Sequence, residues 1–336
     1  MIGYAAYLDE IFSQQHEYLG IEKLVNKTVP LLSVHLITYN HAAYIAECLD
    51  GILAQQTTFP FEIVVGEDGS LDGTREICMQ YAEKYPDKIR LFLRDRNISV
   101  LKQDGQTVYF NGKLTLKACR GKYIGICEGD DYWTDPLKLQ QQVDFLESNP
   151  DYSLTFHNRS VLEFDGSITK KSAGSQPKTI ASDHLISTFV PMVSMVFRNY
   201  MQEYLKADLK FVFSGDVALR AFLSTKGKAY FMPFYGAVYR RHAGGVKSSK
   251  DFVTNRKLWL QSRDEIYKNI KGINKSDLQF SKFVIMNDLF FHYAENKAFL
   301  KSAKLLPHML VSFAQSRRLG AAKLFANTFR SLYLKK

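Results

Sequence analysis

Between Leu31 and Phe156, short β-rich apolar runs alternate with segments of helical period, and no other feature restricts the fold as strongly. Leu31–Thr38 reads as a strand ending in Tyr39-Asn40-His41, and Ala42–Gln55 sets Ile45, Leu49, Ile52 and Leu53 on one helical face. Phe61–Gly66 is a second strand, followed by the turn-rich Glu67-Asp68-Gly69-Ser70-Leu71-Asp72-Gly73. Thr74–Tyr85 predicts a helix stopped by Pro86-Asp87, Ile89–Leu93 a third strand, and Thr107–Cys119 a helix. Tyr123–Cys127 is a fourth strand running into Glu128-Gly129-Asp130-Asp131. Leu137–Ser148 is an amphipathic helix closed by Asn149-Pro150, and Tyr152–Phe156 a further strand. Strands separated by helices pair in parallel through right-handed crossovers. Such sheets bind ligands at the carboxyl ends of their strands. Here those ends carry Tyr39-Asn40, Glu67-Asp68 and Glu128 to Asp131, an expensive gathering of carboxylates unless it holds something.

After Phe156 the alternation breaks down. Val161–Thr169, centred on Asp165-Gly166, predicts a hairpin, Met192–Phe197 a strand, Asp216–Ser224 a helix and Tyr230–Arg241 one or two strands. From Asp251 the chain reads as helix in three or four segments, and the turn-rich Ser172–Lys178 as a mobile surface loop.

Composition narrows the class. The 336 residues are 46% hydrophobic and 23% charged, which suits a globular chain that buries a core without staples. Cys48, Cys78, Cys119 and Cys127 form no C-x-x-C pair, which argues against a disulfide scaffold or a cysteine zinc site. They are expected to be small buried hydrophobes in a reducing compartment. Asp9 and Glu10 interrupt the apolar run a secretory signal needs, and no stretch reaches the roughly 18 apolar residues of a membrane span. The expectation is a cytoplasmic protein, at most peripheral at the inner face of a membrane. The net charge of +10 is concentrated in the tail, where Lys301, Lys304, Arg317, Arg318, Lys323, Arg330, Lys335 and Lys336 occur without Asp or Glu. That argues against nucleic acid as a partner of the body of the protein. In Leu319–Leu334 the residues Leu324, Phe325, Phe329, Leu332 and Tyr333 recur at helical spacing, a pattern either for packing against the catalytic domain or for peripheral contact with anionic membrane.

Four constellations carry candidate chemistry. In Glu128-Gly129-Asp130-Asp131-Tyr132-Trp133, three carboxylates at a strand end suit Mg2+ or Mn2+, which share phosphate oxygens with the protein. Asp68, at the end of its strand, can accept from a nucleobase N–H or a ribose hydroxyl, whereas Asp72, Gly73 and Thr74 read as turn and N-cap chemistry. Asp216, after Ser214-Gly215, starts a helix, where a cap is the plain alternative to a catalytic role. Tyr239-Arg240-Arg241-His242-Ala243-Gly244-Gly245 places two arginines and a histidine before a glycine pair, a grip for a diphosphate, with His242 a candidate metal ligand.

Ser33-Val34-His35-Leu36-Ile37-Thr38-Tyr39-Asn40, followed by Val65-Gly66-Glu67-Asp68-Gly69-Ser70-Leu71-Asp72-Gly73-Thr74, resembles the family-2 glycosyltransferases. Tyr123 to Leu139 is similar to their acidic D-x-D region, and Ser214-Gly215-Asp216 and Tyr239-Arg240-Arg241-His242 fit the later signatures in order and spacing. The resemblance covers roughly residues 31–245 and is most specific in its first half. It implies an α/β GT-A fold, a Rossmann-like, mostly parallel sheet flanked by helices, with a helical C-terminal extension. The implied division is an N-terminal helical extension over 1–30 and a catalytic domain over 31–245, with a nucleotide half 31–157 and an acceptor half 158–245. A helical extension, basic at its end, would then cover 246–336.

The family also implies a nucleotide-sugar donor, a divalent cation (Mn2+ or Mg2+), inversion at the anomeric carbon and a glycan or lipid-linked glycan acceptor. It assigns Thr38, Tyr39 and Asp68 to the nucleoside, beside which Asn40 is placed, and Asp130 and Asp131 to ribose and metal-diphosphate, with His242 kept as a candidate metal ligand. Arg240 and Arg241 fall to the diphosphate and Asp216 to the general base. Glu128 departs from the family's leading Asp, which leaves open which of Asp130 and Asp131 meets the metal. A nucleotidyltransferase and a catalytically inactive nucleotide-sugar-binding protein are the alternatives. No glycine-rich basic loop follows the first strand, as the former would need.

Overall fold

A computed structural model of the chain describes residues 4–20, 28–103, 106–172, 178–209, 212–244, 251–316, 318 and 324. The chain divides into two compact units: Met1–Ile180 with Val190–Lys210 and Lys228–His242, and Ala181–Phe189 with Phe211–Gly227 and Ala243–Lys336.

The first unit is built on a sheet whose main strands are β1 (Leu32–Thr38), β2 (Phe61–Glu67), β3 (Ile89–Leu93), β4 (Tyr123–Glu128), β5 (Tyr152–Leu162), β6 (Val196–Arg198) and β7 (Lys228–Arg240). Their order is β3-β2-β1-β4-β6-β5-β7. β3, β2, β1 and β4 run parallel, β6 is antiparallel to both its neighbours, and β7 runs parallel to β5. The residues of β1 and β2 are buried almost throughout because both faces of the sheet are covered. Helix α1 (Ile45–Leu53) buries Ile45, Cys48, Leu49 and Ile52, one stripe at 3.6-residue spacing. With α2 (Thr74–Lys84), α3 (Asn111–Ala118) and α4 (Lys138–Ser148) it supplies the crossovers. Leu36, Ile63, Val65, Leu49, Trp133 and Leu139 belong to one buried cluster. All four cysteines are free and buried, with the Cys48 and Cys127 sulfurs 3.6 Å apart.

Two expectations need correction. Thr107–Cys119 is not one helix: Gln106–Tyr109 is a strand paired with Val100–Gln103, and only Asn111–Ala118 is helical. The exchange of backbone hydrogen bonds with a neighbouring strand outweighs local propensity there. Met192–Phe197 is not a strand either. Met192–Ser194 is a 3-10 turn after Pro191, and the strand begins at Val196. The hairpin around Asp165-Gly166 is present, with Leu162 opposite Ile168. The expected loop Ser172–Lys178 lies, over 173–177, outside the described residues.

Gly66 shows how tightly β2 is fitted. A Cβ there would lie 2.1 Å from both Arg94 Nη1 and Thr115 Oγ1 and 2.5 Å from Asn111 Oδ1. Those three form a buried set in which Arg94 Nη1 donates to Asn111 Oδ1 (2.6 Å) and Thr115 Oγ1 (3.0 Å). Gly66→Ala is expected to lower stability by about 3 kcal/mol or more, combining overpacking with lost buried hydrogen bonds. Urea unfolding checks this, and a loss under about 1 kcal/mol would contradict the fit described.

In the second unit, α5 (Gly215–Ser224) precedes three longer helices, α6 (Phe252–Asn269), α7 (Lys275–Glu295) and α8 (Phe299–Ser316). Asp251 and Asn274 cap α6 and α7 by accepting from Thr254 and Asp277 N–H. Phe283, Met286, Phe290 and Met309 form a buried cluster against which Leu324 packs. Arg318 pairs with the fully buried Asp277 at 3.0 Å. Apart from Leu324, the amphipathic stretch Leu319–Leu334 lies outside the described residues. Among the described residues no helix is long and apolar enough to cross a membrane.

Candidate active site

The parallel register aligns the strand ends: Thr38 sits opposite Glu67, and Ile37 opposite Glu128. The polar residues that follow β1, β2 and β4 therefore share one edge.

The β2 end holds a pocket of fixed charges. Asp68 is 4% exposed. Its Oδ2 accepts from Arg96 Nη1 at 2.8 Å, and its Oδ1 accepts from the Ser99 hydroxyl. Burial raises the Asp68 carboxyl above its ordinary value, opposed by Ser99, Arg96 and Arg94. The Arg96 guanidinium lies 3.6 Å from the centre of the Tyr39 ring. Glu67, fully buried, is not free for a ligand: its carboxylate accepts from Ser70 N–H (2.6 Å) and Arg75 Nε (2.5 Å). Asp72 binds the backbone, accepting from Thr74 N–H, the Thr74 hydroxyl and Ala42 N–H. Asn40 adopts a left-handed φ of 53° and ties the two loops together, donating N–H to Ser70 Oγ (2.9 Å) and accepting from Leu71 N–H (3.0 Å).

The β4 end is reached by β7. Tyr132–Trp133 pairs antiparallel with Val238 and Ala237, which carries Arg240 to His242 onto the acidic turn. Arg240 donates its backbone N–H to Asp131 Oδ1 (2.9 Å) and its Nε to the Asp130 carbonyl (3.0 Å). Its guanidinium also pairs with Glu47 and lies over Tyr44 and Tyr132. Arg241 points elsewhere, pairing with Glu163 at 3.0 Å. His242 Nε2 lies 3.0 Å from Asp130 Oδ2. Asp131 is 2% exposed, and its carboxyl is pushed well above the usual range by burial and by the charges of Asp130 and Glu128.

These side chains form two overlapping groups whose ligand atoms lie within 4.8 Å of one another: Glu128, Asp130 and Asp131, and His41, Asp130 and His242. Asp130 is common to both. The donor sets fit a divalent cation, with hard carboxylates on one side and imidazoles on the other. Sequence reasoning did not single out His41, Arg96 or Ser99. A lone histidine one residue past Asn40, and polar residues in a loop, carry no period or motif to reveal them. Asp216 lies in the second unit, half-buried in the first turn of α5. Its charge acts on the buried Arg220 and Arg263, which burial drives downward and Asp216 supports.

The sheet, its crossovers and the acidic turn define an α/β architecture of the GT-A type. Two solved structures share the fold. Staphylococcus aureus TarS residues 1–349 in complex with UDP-GlcNAc gives a TM-score of 0.55 at 17% identity, over 90% of this chain and 80% of that one. The mannosyltransferase PcManGT of Pyrobaculum calidifontis, in complex with GDP-Man and Mn2+, gives 0.54 at 18%, over 98% and 87%. At these identities the likeness is one of fold. The sequence model of glycosyl transferase family 2 matches residues 33–208, and the chain belongs to that family. An uncharacterized protein of Mycobacterium tuberculosis is 36% identical over 231 residues, 68% of this chain and 63% of that protein. The match thus spans less than two thirds of that relative. The putative teichuronic acid biosynthesis glycosyltransferase TuaG of Bacillus subtilis is 27% identical over 70% of this chain and 88% of its own length.

Proposed function

We propose that the chain is an inverting glycosyltransferase that passes a sugar from a nucleotide-sugar donor, a UDP-sugar, to a hydroxyl of a glycan or lipid-linked glycan acceptor in cell-surface polysaccharide assembly. The observation that carries this reading is the shared edge where the buried Asp68 and the stacked Tyr39 stand in line with Asp130 between carboxylates and imidazoles. The nucleotide sugars named with the two structural neighbours, and the biosynthetic role in the TuaG name, support it.

In this reading residues 31–157 hold the nucleotide and 158–245 shape the acceptor side. Thr38, Tyr39, Asn40 and Asp68 surround the nucleoside, with Asp68 accepting from a base N–H. Asp130, Asp131 and His242 hold Mn2+ or Mg2+, which when bound supplies positive charge against the leaving diphosphate. Arg240 and Arg241 add charge for the same group after exchanging Glu47 and Glu163 for phosphate oxygens. The acceptor oxygen forms its bond to the anomeric carbon as the bond to the diphosphate oxygen breaks, and Asp216 takes the hydroxyl proton. The basic tail attracts the protein to the inner face of an anionic membrane.

Nucleotide affinity separates Asp68 from its neighbour. Asp68→Ala is expected to weaken UDP binding by about tenfold or more, the order of one charge-assisted hydrogen bond. Asp72→Ala, which removes turn contacts to Thr74 and Ala42, is expected to change it less than threefold, within a few tenths of a kcal/mol. Calorimetry with UDP and MnCl2 reads both. Equal losses would remove Asp68 from the nucleoside site.

A further inference from the structure

His41 belongs to none of the roles assigned above, yet three elements fix its position. Asn40, with its left-handed backbone, turns the chain at the end of β1. The His41 N–H is held by Thr74 Oγ1 at 2.8 Å, and its Nδ1 lies 3.3 Å from Thr38 Oγ1. Gly129 of the acidic turn is pressed against both side chains: a Cβ there would fall 2.7 Å from Thr38 Oγ1 and 3.0 Å from His41 Nδ1. The ring is half-buried, 5.9 Å from that of His242 and nearly perpendicular to it at 84°. A nitrogen of each ring and an Asp130 oxygen lie within 4.8 Å of one another. Ligands about 2.1 Å from one cation are separated by roughly 3–4 Å, so little movement closes this set. The Thr38 hydroxyl next to Nδ1 is the kind of second partner that orients a ligating imidazole.

We propose that His41 is a further protein ligand of the donor-site cation, completing a set of two imidazoles and the Asp130 carboxylate that selects Co2+ and Mn2+ over Mg2+. The inference rests on the donor-site reading above and deepens it. Nitrogen donors favour first-row transition ions over Mg2+, which takes oxygen ligands, so the second imidazole sets the preference. Carboxylates alone, as in the group of Glu128, Asp130 and Asp131, would give no such preference, since Mg2+ also takes oxygen ligands.

The test is metal binding to the full chain in the presence of UDP, measured without turnover. Wild-type protein titrated with CoCl2, MnCl2 and MgCl2 is expected to bind Co2+ most tightly. Electron spin-echo modulation of bound Mn2+ is expected to show two coordinated imidazoles. His41→Gln, checked for folding by circular dichroism, is expected to show one, with Co2+ affinity reduced about 10–100-fold and Mg2+ affinity changed less than about threefold. One imidazole in the wild type, lost in His242→Gln, would overturn the role of His41 and leave the donor-site reading standing. No bound cation in the wild type with UDP present would overturn both. The spin-echo measurement on the wild type decides even if the variant does not fold.

Discussion

Asp216→Asn is expected to fold and bind donor as the wild type does, while turnover falls about 10²–10⁴-fold, roughly 3–5 kcal/mol of barrier. Single-displacement inversion needs one base on the acceptor side of the sugar. Asp130 and Asp131 cannot serve in our reading, because a cation holding them would leave them weak bases. Asp216 sits half-buried in the first turn of α5, outside the acidic turn that would hold the cation. Asparagine keeps the size of the side chain and some of its hydrogen-bonding but cannot take the proton. Single-turnover kinetics with donor saturating reads the chemical step. If more than about a tenth of the rate survives with chemistry limiting, Asp216 serves α5 and its arginines instead, and the base lies elsewhere.

Asp130→Asn is expected to abolish the enhancement of UDP binding by Mn2+ and to lower turnover about 10²–10³-fold or more. Asp130 is the one residue common to both candidate ligand groups, and its carboxylate lies 3.0 Å from His242 Nε2. Asparagine retains an acceptor for His242 but not the charge that binds a cation. Calorimetry of UDP with MnCl2 and with excess chelator separates the contributions. A variant that keeps the manganese enhancement would move the cation to other residues.

The first half of the fold was legible because its physics is local. The α1 stripe of Ile45, Leu49 and Ile52 and the short aliphatic-rich runs of β1 and β2 each show themselves within a few residues. The expectation failed at Thr107–Cys119, where backbone pairing with Val100–Gln103 decided the conformation and the apolar pattern did not distinguish strand from helix. In the site, the strand-end positions of Asp68 and Asp130 could be read from the turn motifs that follow buried runs. His242 could be read as a metal ligand beside Asp130, but Arg96 and Ser99, the partners of Asp68, could not. His242 meets Asp130 across 112 residues of chain, and Arg96 meets Asp68 across 28, contacts set by the strand order β3-β2-β1-β4-β6-β5-β7. The two arginines of Arg240-Arg241 looked equivalent in sequence, yet one faces the acidic turn and the other pairs with Glu163, because alternate residues near a strand end diverge.

The central claim is glycosyl transfer from a nucleotide sugar, and phosphorus NMR of the full chain incubated with a panel of nucleotide sugars and MnCl2 tests it most directly. We predict that one donor, a UDP-sugar, releases a nucleoside diphosphate at a rate that Asp130→Asn removes. Pyrophosphate or nucleoside monophosphate as the product, or no donor consumed by a folded protein that still binds UDP, would contradict the account.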